Sequence, residues 1–325
     1  MEMTGKTTLG ELRALPELQG FGEFIDVDTK LTREQIDAKI LGDKGPEACE
    51  SYVRGFNRML DIVHQGVRMS YDIYSEEERA ADPAKRMTNL LYFPGEPGRP
   101  YVVVCPGGAY TAVVSFREGY PPAAELNALG YTAFVLTYRV GMSEEPLLPK
   151  PQDDLAQALR FIMARADGFH VPANEYAVMG FSAGGHLAAS WGSENLGYRT
   201  YGLPKPGAFL LGYPAPSPAV FDLDEVGRAY LATMVGPELA PEALDAVDVT
   251  RHMDTDFPPT YLIHSLDDSV VPVRSSTMCA ERCQELDVPR TLQLVNGCDH
   301  GFGTGIGEAK GWIAKAMAFY EEQRG

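Results

Sequence analysis

The stretch YAVMGFSAGGHLAAS, residues 176–190, consists of an apolar run, a turn of small residues and a helix-forming run. Three glycines, Gly180, Gly184 and Gly185, surround a single serine, Ser182. Glycine weakens the interior of a strand or a helix, so glycines clustered around one residue indicate a backbone constraint at that point. The sequence therefore predicts a strand, a tight turn that carries Ser182, and a helix that begins directly after it.

Continuous apolar runs recur from residue 101 onward, and helical segments separate several of them. Runs that are apolar at every position are typical of strands buried on both faces, as in a parallel sheet. Strands that alternate with helices indicate right-handed crossovers and an α/β fold with a doubly wound, mostly parallel sheet. The apolar runs are YVVVC, TAFVLTYRV, YAVMGF, AFLLGYP, TYLIHS and RTLQLV, and the helical segments are PAAELNALG, DDLAQALRFIMARA and SSTMCAERCQELD.

The N-terminal part of the chain has a different pattern. TREQIDAKI begins with a Thr32 cap, and PEACESYVRGFNRMLDIVHQG has apolar residues at helical spacing, so both predict helices. Apolar and polar residues then alternate in VRMSYDIYS, and NLLYFP is mostly apolar, so both segments are predicted to be strands. We predict an N-terminal helical extension at 1–66 and an α/β domain at 67–325. Within that domain, the long connection at about 215–257 is expected to form a lid or a pocket wall.

Charge and composition exclude several classes of partner. The 325 residues carry a formal net charge of −17, which repels nucleic-acid phosphates and anionic lipid. No run approaches the roughly 18 apolar residues of a membrane helix, and the N-terminus lacks the apolar core of a signal peptide. Five cysteines without C-x-x-C spacing fit a reducing compartment. We therefore expect a cytoplasmic protein that binds neither nucleic acid nor membrane.

Ser182 is the candidate nucleophile. Residues 180–184 match G-x-S-x-G between a predicted strand and a predicted helix. Such a turn lifts the serine hydroxyl above the carboxyl edge of the sheet, where ligands bind in open α/β folds. It also places the N–H group of Ala183 at a helix N-terminus, directed at developing negative charge. A serine hydroxyl still needs a base to take its proton and an acid to orient that base.

His300 is the candidate base among six histidines. It lies in NGCDHGFG, the loop after the last apolar run, where Gly301 and Gly303 permit a tight turn. The candidate acid is Asp268 in HSLDDSVVPV, and Asp267 remains the alternative acid or a loop cap. Each candidate follows a predicted strand, and the chain order Ser–Asp–His is one in which this catalytic geometry occurs.

Other side chains with reactive groups are interpreted as structural. His186 follows Ser182 by four residues on the predicted helix, and His264 lies within a predicted strand, so both are expected to be packed residues. Cys279, Cys283 and Cys298 have no paired metal-ligand spacing and are expected to be half-buried thiols. No metal site is predicted.

The oxyanion of an acyl-transfer intermediate needs a second set of N–H donors. VVVCPGGAY supplies small residues, Gly107, Gly108 and Ala109, directly after a buried strand, where their N–H groups can approach a substrate oxygen. Tyr110 is expected to face the pocket. Together with the Ala109 methyl group it would restrict the acyl group to a short one, such as acetyl.

These segments together resemble the α/β-hydrolase superfamily, and most closely its acetylxylan esterase and feruloyl-esterase-like branch, akin to hormone-sensitive-lipase-type esterases. The resemblance covers about residues 101–303, and residues 1–66 lie outside it. The matching segments are CPGGAY, SFREGYP, AFVLTYRV, GFSAGGHLAA, DDSVVPV and HGFG. The resemblance implies Ser182 as nucleophile, Asp268 as acid, His300 as base, and the N–H groups of Gly108, Ala109 and Ala183 as the oxyanion hole.

The resemblance further implies a serine esterase for short acyl esters, with acetyl groups on a carbohydrate or a small alcohol as substrates and no metal or organic cofactor. An amidase or formamidase, a small peptidase and a non-catalytic binding protein of the same fold remain the alternatives. Arg117 and Glu118 are interpreted either as substrate-positioning residues or as a structural ion pair. Packing within the chain or contacts with a second copy are the roles left open for residues 1–66.

Overall fold

The computed structural model describes residues 3, 4, 6–25, 27, 28, 45–141 and 145–324, and the predicted helix at Thr32 lies outside them. The strands are β1 (Val27–Asp28), β2 (Ser70–Tyr71), β3 (Asn89–Phe93), β4 (Tyr101–Cys105), β5 (Ala112–Val113), β6 (Thr132–Thr137), β7 (Tyr176–Phe181), β8 (Ala208–Gly212), β9 (Thr260–Ser265) and β10 (Arg290–Val295). The α-helices are α1 (Leu9–Arg13), α2 (Gly45–His64), α3 (Glu76–Ala81), α4 (Ser115–Glu118), α5 (Tyr120–Ala128), α6 (Lys150–Met163), α7 (Ala166–Phe169), α8 (Ser182–Ser190), α9 (Glu225–Val235), α10 (Pro241–Ala246), α11 (Arg274–Glu285) and α12 (Trp312–Arg324).

One mixed sheet organises the described part of the chain. Its eight strands have the order β10-β9-β8-β7-β4-β6-β3-β2. The pairings from β10 to β6 are all parallel. Strand β3 pairs antiparallel with β6, and β2 pairs antiparallel with β3. The register pairs Cys105 with Gly180 and Phe181 with Gly212, so β4, β7 and β8 end at the same edge. The predicted doubly wound, mostly parallel α/β fold is confirmed.

Side chains of the central strands enter two separate cores, one on each face of the sheet. Val102 and Val104 pack with α2, α5 and α12, whereas Val103 packs with α6, α8 and α11 on the other face. This double burial explains the continuous apolar runs. The expectation is wrong for β10, because this strand lies at the edge of the sheet and Leu294 is 41% exposed.

The N-terminal helix α2 packs closely on the α/β domain. A Cβ atom at Gly55 would lie 2.5 Å from the backbone nitrogen of Pro121, so only glycine permits this approach to α5. Tyr52 and Phe56 place their ring centroids 5.5 and 6.5 Å from that of Phe116 on α4. In addition, β1 pairs with β5, which follows the loop after β4. The N-terminal segment therefore supports the helix and the loop that follow β4.

The partly buried Glu125 on α5 is expected to make the free energy of unfolding depend on pH. It lines a small cavity with Arg54 and Arg58 of α2, and burial raises its pKa from 4.5 to about 7, against the attraction of Arg54 and a hydrogen bond with Thr304. Because the folded-state pKa is raised, this group stabilises the fold at low pH and loses that contribution as pH rises through about 7. Glu125→Gln should therefore raise the free energy of unfolding by about 1–3 kcal/mol near pH 8.5 and by less than about 1 kcal/mol near pH 5.

Urea unfolding of both proteins at the two pH values measures this difference. Glu50→Gln, at an exposed position on the facing helix α2, is the control and should change little at either pH. An effect of Glu125→Gln that is equal at both pH values would contradict the argument.

Candidate active site

Ser182 lies at the turn between β7 and α8 and has a left-handed backbone, with φ of 52°. A serine is rarely stable in this region, so the surrounding structure must hold it there. A Cβ atom at Gly184 would lie 2.1 Å from the carbonyl oxygen of Cys105, and one at Gly180 would lie 2.3 Å from that of Gly184. The glycines around Ser182 are thus required by close backbone approach, as the sequence pattern predicted.

His300 lies between Ser182 and Asp268. Its Nε2 atom is 3.0 Å from the Ser182 Oγ atom, and its Nδ1 atom is 2.7 Å from the Asp268 Oδ2 atom. The three side chains come from the ends of β7, β9 and β10, which meet at one edge because these strands are parallel. The structure therefore brings together the three predicted catalytic residues with the geometry of a nucleophile, a base and an acid.

Asp268, rather than Asp267, contacts the imidazole. The Asp268 side chain is inaccessible to solvent, and its Oδ1 atom accepts hydrogen bonds from the N–H groups of Val270 and Val271. Burial raises the pKa of Asp268, but hydrogen bonds from His264 and His300 outweigh that effect and hold this pKa well below its usual value. Asp267 is exposed and instead accepts the N–H of Gly297, which is the loop cap considered above.

His264 is a contact of the site that the sequence interpretation missed. Its Nε2 atom lies 3.1 Å from the Asp268 Oδ2 atom and 3.0 Å from the carbonyl oxygen of Val271. A carbonyl oxygen only accepts, so Nε2 carries the proton, and Nδ1 accepts from the Ser276 hydroxyl at 2.7 Å. The Nε2–H group of His264 thus donates a hydrogen bond to the same Asp268 oxygen that His300 contacts. Its place one residue before the end of β9 was the only signal in the sequence.

The loop after β4 approaches the nucleophile with three successive residues at positive φ, namely Gly108 at 131°, Ala109 at 52° and Tyr110 at 59°. Ala109 and Ser182 line the same cavity. Within the described part of the chain, the N–H groups of Gly108, Ala109 and Ala183 donate to no backbone acceptor. These groups are therefore available to a ligand oxygen, as the predicted oxyanion hole requires.

Tyr110 does not face the cavity, contrary to expectation. Its side chain is fully buried, and its hydroxyl lies 2.7 Å from the Nδ1 atom of His186. The other ring nitrogen of His186 bonds the carbonyl oxygen of Val247, and burial lowers the pKa of His186 to about 4, so this histidine is a neutral packed residue, as predicted. The positive φ of Tyr110 turns its ring into the core, where it anchors the loop.

Arg117 and Glu118 do not line the cavity either, so direct substrate positioning does not fit their placement. Glu118 is 4% exposed and accepts hydrogen bonds from the N–H of Gly107 and the hydroxyl of Tyr213. Arg117 is half-buried on the same helix, and its charge lowers the pKa of Glu118 only as a minor contribution beside burial, which raises it. The burial of Glu118 and the partial burial of Arg117 fit a structural role for this pair.

A cavity of about 380 Å³ opens beside Ser182. The segment after β8 forms one wall, with Phe221, Val226 and Tyr230, and the loop after Asp268 forms the opposite wall with Val270. Val226 is 74% and Val270 is 56% exposed, so apolar side chains reach the mouth of the cavity, where the exposed Asp222 and Asp224 also lie. The segment predicted as a lid or pocket wall thus supplies a wall of this cavity.

Neither a cluster of metal-ligating side chains nor an apolar helix of membrane-spanning length occurs among the described residues. No group of three or more His, Cys, Asp or Glu side chains among them could hold a metal ion, and all five cysteines are free. No helix in the described ranges has the length and apolar composition needed to span a bilayer.

Two family models match successive parts of the chain. The BD-FAE model matches residues 91–198, and the model described as the prolyl oligopeptidase family matches residues 220–325. The first range contains Ser182 and the loop after β4, and the second contains Asp268 and His300. Residues before 91 lie outside both matches.

Two curated relatives and two solved structures are similar to this chain. The chain is 27% identical to an acetylxylan esterase of Xylanibacter ruminicola over 66% of this chain and 44% of that protein, and 29% identical to endo-1,4-beta-xylanase B of Butyrivibrio fibrisolvens over 59% and 30%. The chain thus spans less than half the length of these relatives.

The acetyl ester-xyloside bifunctional hydrolase of Caldicellulosiruptor lactoaceticus matches with a TM-score of 0.66 and 27% identity, over 78% of this chain and 95% of that one. A carboxylesterase of Lactobacillus plantarum, 21% identical over 73% of this chain and 92% of its own, shares the fold with a TM-score of 0.62. The chain has the α/β-hydrolase fold and is similar to acetylxylan esterases.

Proposed function

We propose that the protein is a serine esterase that hydrolyses short-chain acyl esters through Ser182, His300 and Asp268. The observation that carries the proposal is the unbroken series of contacts from Asp268 through His300 to Ser182 at the floor of an open cavity. The similarity to esterases supports the same reaction. A labelling experiment with a fluorophosphonate probe tests it, because only an activated serine hydroxyl reacts with such a probe.

In the proposed reaction, Ser182 attacks the acyl carbon while Nε2 of His300 accepts its proton. Asp268 holds the imidazole in the required tautomer and stabilises the imidazolium that forms. The N–H groups of Gly108, Ala109 and Ala183 bind the oxyanion. His300 then gives its proton to the leaving alcohol, and water attacks the acyl-enzyme in the second half of the reaction.

The proposed substrate is an acetyl ester of a carbohydrate or of a small alcohol. The name of the acetylxylan esterase relative supports an acetyl group, and the methyl group of Ala109 at the cavity wall supports a short acyl chain. Tyr110 no longer contributes to this argument because it lies in the core. A small peptidase is the second candidate, favoured by the prolyl oligopeptidase match over the range that carries Asp268 and His300.

Ala109 provides a prediction about acyl-chain length. Ala109→Gly removes the methyl group from the wall beside Ser182, and glycine adopts the positive φ found there without strain. We expect wild type to prefer p-nitrophenyl acetate over the butyrate and the octanoate. In Ala109→Gly, the butyrate-to-acetate ratio of kcat/KM should rise about tenfold, the lower end of the effect that one methylene has in a hydrophobic pocket.

A hydrolysis panel measures this ratio and separates the candidate functions. It contains p-nitrophenyl esters of increasing length, acetylated xylo-oligosaccharides, methyl ferulate and a p-nitroanilide peptide. Ala215→Gly, which removes a methyl group from another part of the cavity lining, the segment after β8, is the matched control. An unchanged chain-length ratio in Ala109→Gly would contradict the role of this methyl group, and faster peptide than ester turnover would favour the peptidase.

The compartment, the lid and the assembly state belong to the same proposal. Five free thiols support a reducing, cytoplasmic environment. The exposed Val226 on α9 supports a lid role for the segment after β8, within the 215–257 insertion of the α/β domain. Residues 1–66 are proposed as an extension that packs on α4 and α5, and contacts with a second copy of the chain stay open for it.

A further inference from the structure

Glu118 lies at the junction of three elements around the proposed active site. Its Oε2 atom accepts the N–H of Gly107 at 2.7 Å, and its Oε1 atom accepts the hydroxyl of Tyr213 at 2.8 Å. The Tyr213 oxygen in turn accepts the N–H of Gly303 at 2.9 Å. One carboxylate thus joins the loop after β4, the end of β8 and the loop after β10.

Each contact lies next to a group of the proposed machinery. Gly107 directly precedes the proposed oxyanion donors, and Gly303 follows His300 by three residues. The Tyr213 ring also packs edge-on against the His300 ring, with centroids 4.8 Å apart. A Cβ atom at Gly107 would lie 2.7 Å from the Glu118 Oε2 atom and 2.9 Å from the Ser182 Cβ atom. There is therefore no room for a side chain at residue 107 between the carboxylate and the nucleophile.

A buried carboxylate is costly, so its presence here requires a reason beyond packing. Burial raises the pKa of Glu118, and hydrogen bonds from Tyr213 and Gly107 together with the nearby His300 oppose this effect. Both oxygens accept hydrogen bonds, which is the condition under which a buried acid is tolerated. Phe116, two residues earlier on α4, is packed against Tyr52 and Phe56 of the N-terminal helix, which helps to hold this short helix in place.

We propose that Glu118 is a positioning residue that sets the separation of the oxyanion loop and the base loop through Gly107, Tyr213 and Gly303. This inference rests on the proposed esterase function. Glu118 touches neither the cavity nor the three catalytic side chains by hydrogen bond, so it acts on the geometry offered to the transition state and not on substrate binding. Small misplacements of this kind reduce turnover strongly while ground-state binding persists.

Glu118→Gln tests the proposal with little change of shape. A glutamine can accept from Gly107 or from Tyr213 through its carbonyl oxygen, but its NH₂ group faces the other donor, so one link is lost. We expect kcat for p-nitrophenyl acetate to fall about 10- to 100-fold with KM within about threefold of wild type. Affinity for a trifluoromethyl ketone, which forms a tetrahedral adduct, should fall in parallel with kcat/KM.

Tyr213→Phe provides a second, independent variant that keeps the aromatic packing and removes the link to Gly303. It should also lower kcat, and the double variant should lose less than the product of the two single losses, because both act through one network. Glu50→Gln, at an exposed position on the N-terminal helix α2, is the charge-matched control and should leave kcat unchanged. Circular dichroism and cooperative thermal unfolding establish that each variant is folded.

The outcomes separate the two levels of inference. Wild type that neither hydrolyses esters nor reacts with a fluorophosphonate overturns the proposed function itself. An active wild type with kcat of folded Glu118→Gln within about twofold overturns the positioning role alone. A loss confined to KM in Glu118→Gln also overturns it, since that result would place Glu118 in substrate binding. Independent, multiplicative losses in the double variant would overturn the proposed network.

Discussion

Ser182→Ala should lower the turnover of p-nitrophenyl acetate about 10⁴- to 10⁶-fold, the range seen when a serine nucleophile is removed from such a site. The hydroxyl is the atom that His300 contacts at 3.0 Å, and alanine removes it without adding volume. Residual turnover would come from the oxyanion donors and from substrate binding alone. The positive φ at residue 182 is no worse for alanine than for serine, so the fold should persist.

Initial rates with matched protein concentrations, together with fluorophosphonate labelling, measure this effect. Ser193→Ala is the control, because Ser193 follows the same helix but bonds only to the backbone around Ser190 and Leu196. Labelling should disappear in Ser182→Ala and remain in Ser193→Ala. Turnover of Ser182→Ala within tenfold of wild type, from a folded preparation, would exclude Ser182 as the nucleophile.

The sheet and the convergence at its edge were readable from the sequence because both depend on local patterns. β4, β7, β9 and β10 begin and end at the limits of the apolar runs YVVVC, YAVMGF, TYLIHS and RTLQLV. Parallel strands necessarily end at one edge, so residues placed after three of them must lie near each other. Ser182, Asp268 and His300 could therefore be brought together before any coordinates were known.

The orientation of individual side chains was less accessible, because it depends on backbone angles and on partners from distant elements. Tyr110 turns inward because three successive residues of its loop have positive φ, and no residue-type rule predicts such a run outside glycine. Glu118 reaches Tyr213 across 95 residues of sequence, and His264 reaches Asp268 only because the turn after β9 folds back. The sequence patterns also did not predict the C-terminal helix α12, whose Trp312 ring packs edge-on against Phe181 at the end of β7.

The two adjacent aspartates give the second large expected effect. Asp268→Asn should lower kcat about 10³- to 10⁴-fold, because an asparagine NH₂ group or an amide oxygen cannot hold the imidazole in the required tautomer and also stabilise the imidazolium. The loss should be larger than a single neutral hydrogen bond would cause, since the Asp268 side chain lies out of contact with water and its charge is little screened.

Asp267→Asn is the matched control, with the same change one residue away. Its carboxylate is exposed and caps the loop through Gly297, so kcat should remain within about threefold of wild type. Equal losses in both variants would mean that the loop, and not the carboxylate, controls the rate. A larger loss in Asp267→Asn would assign the acid to Asp267 and would require the loop after β9 to adopt another conformation, in which His264 no longer donates to Asp268.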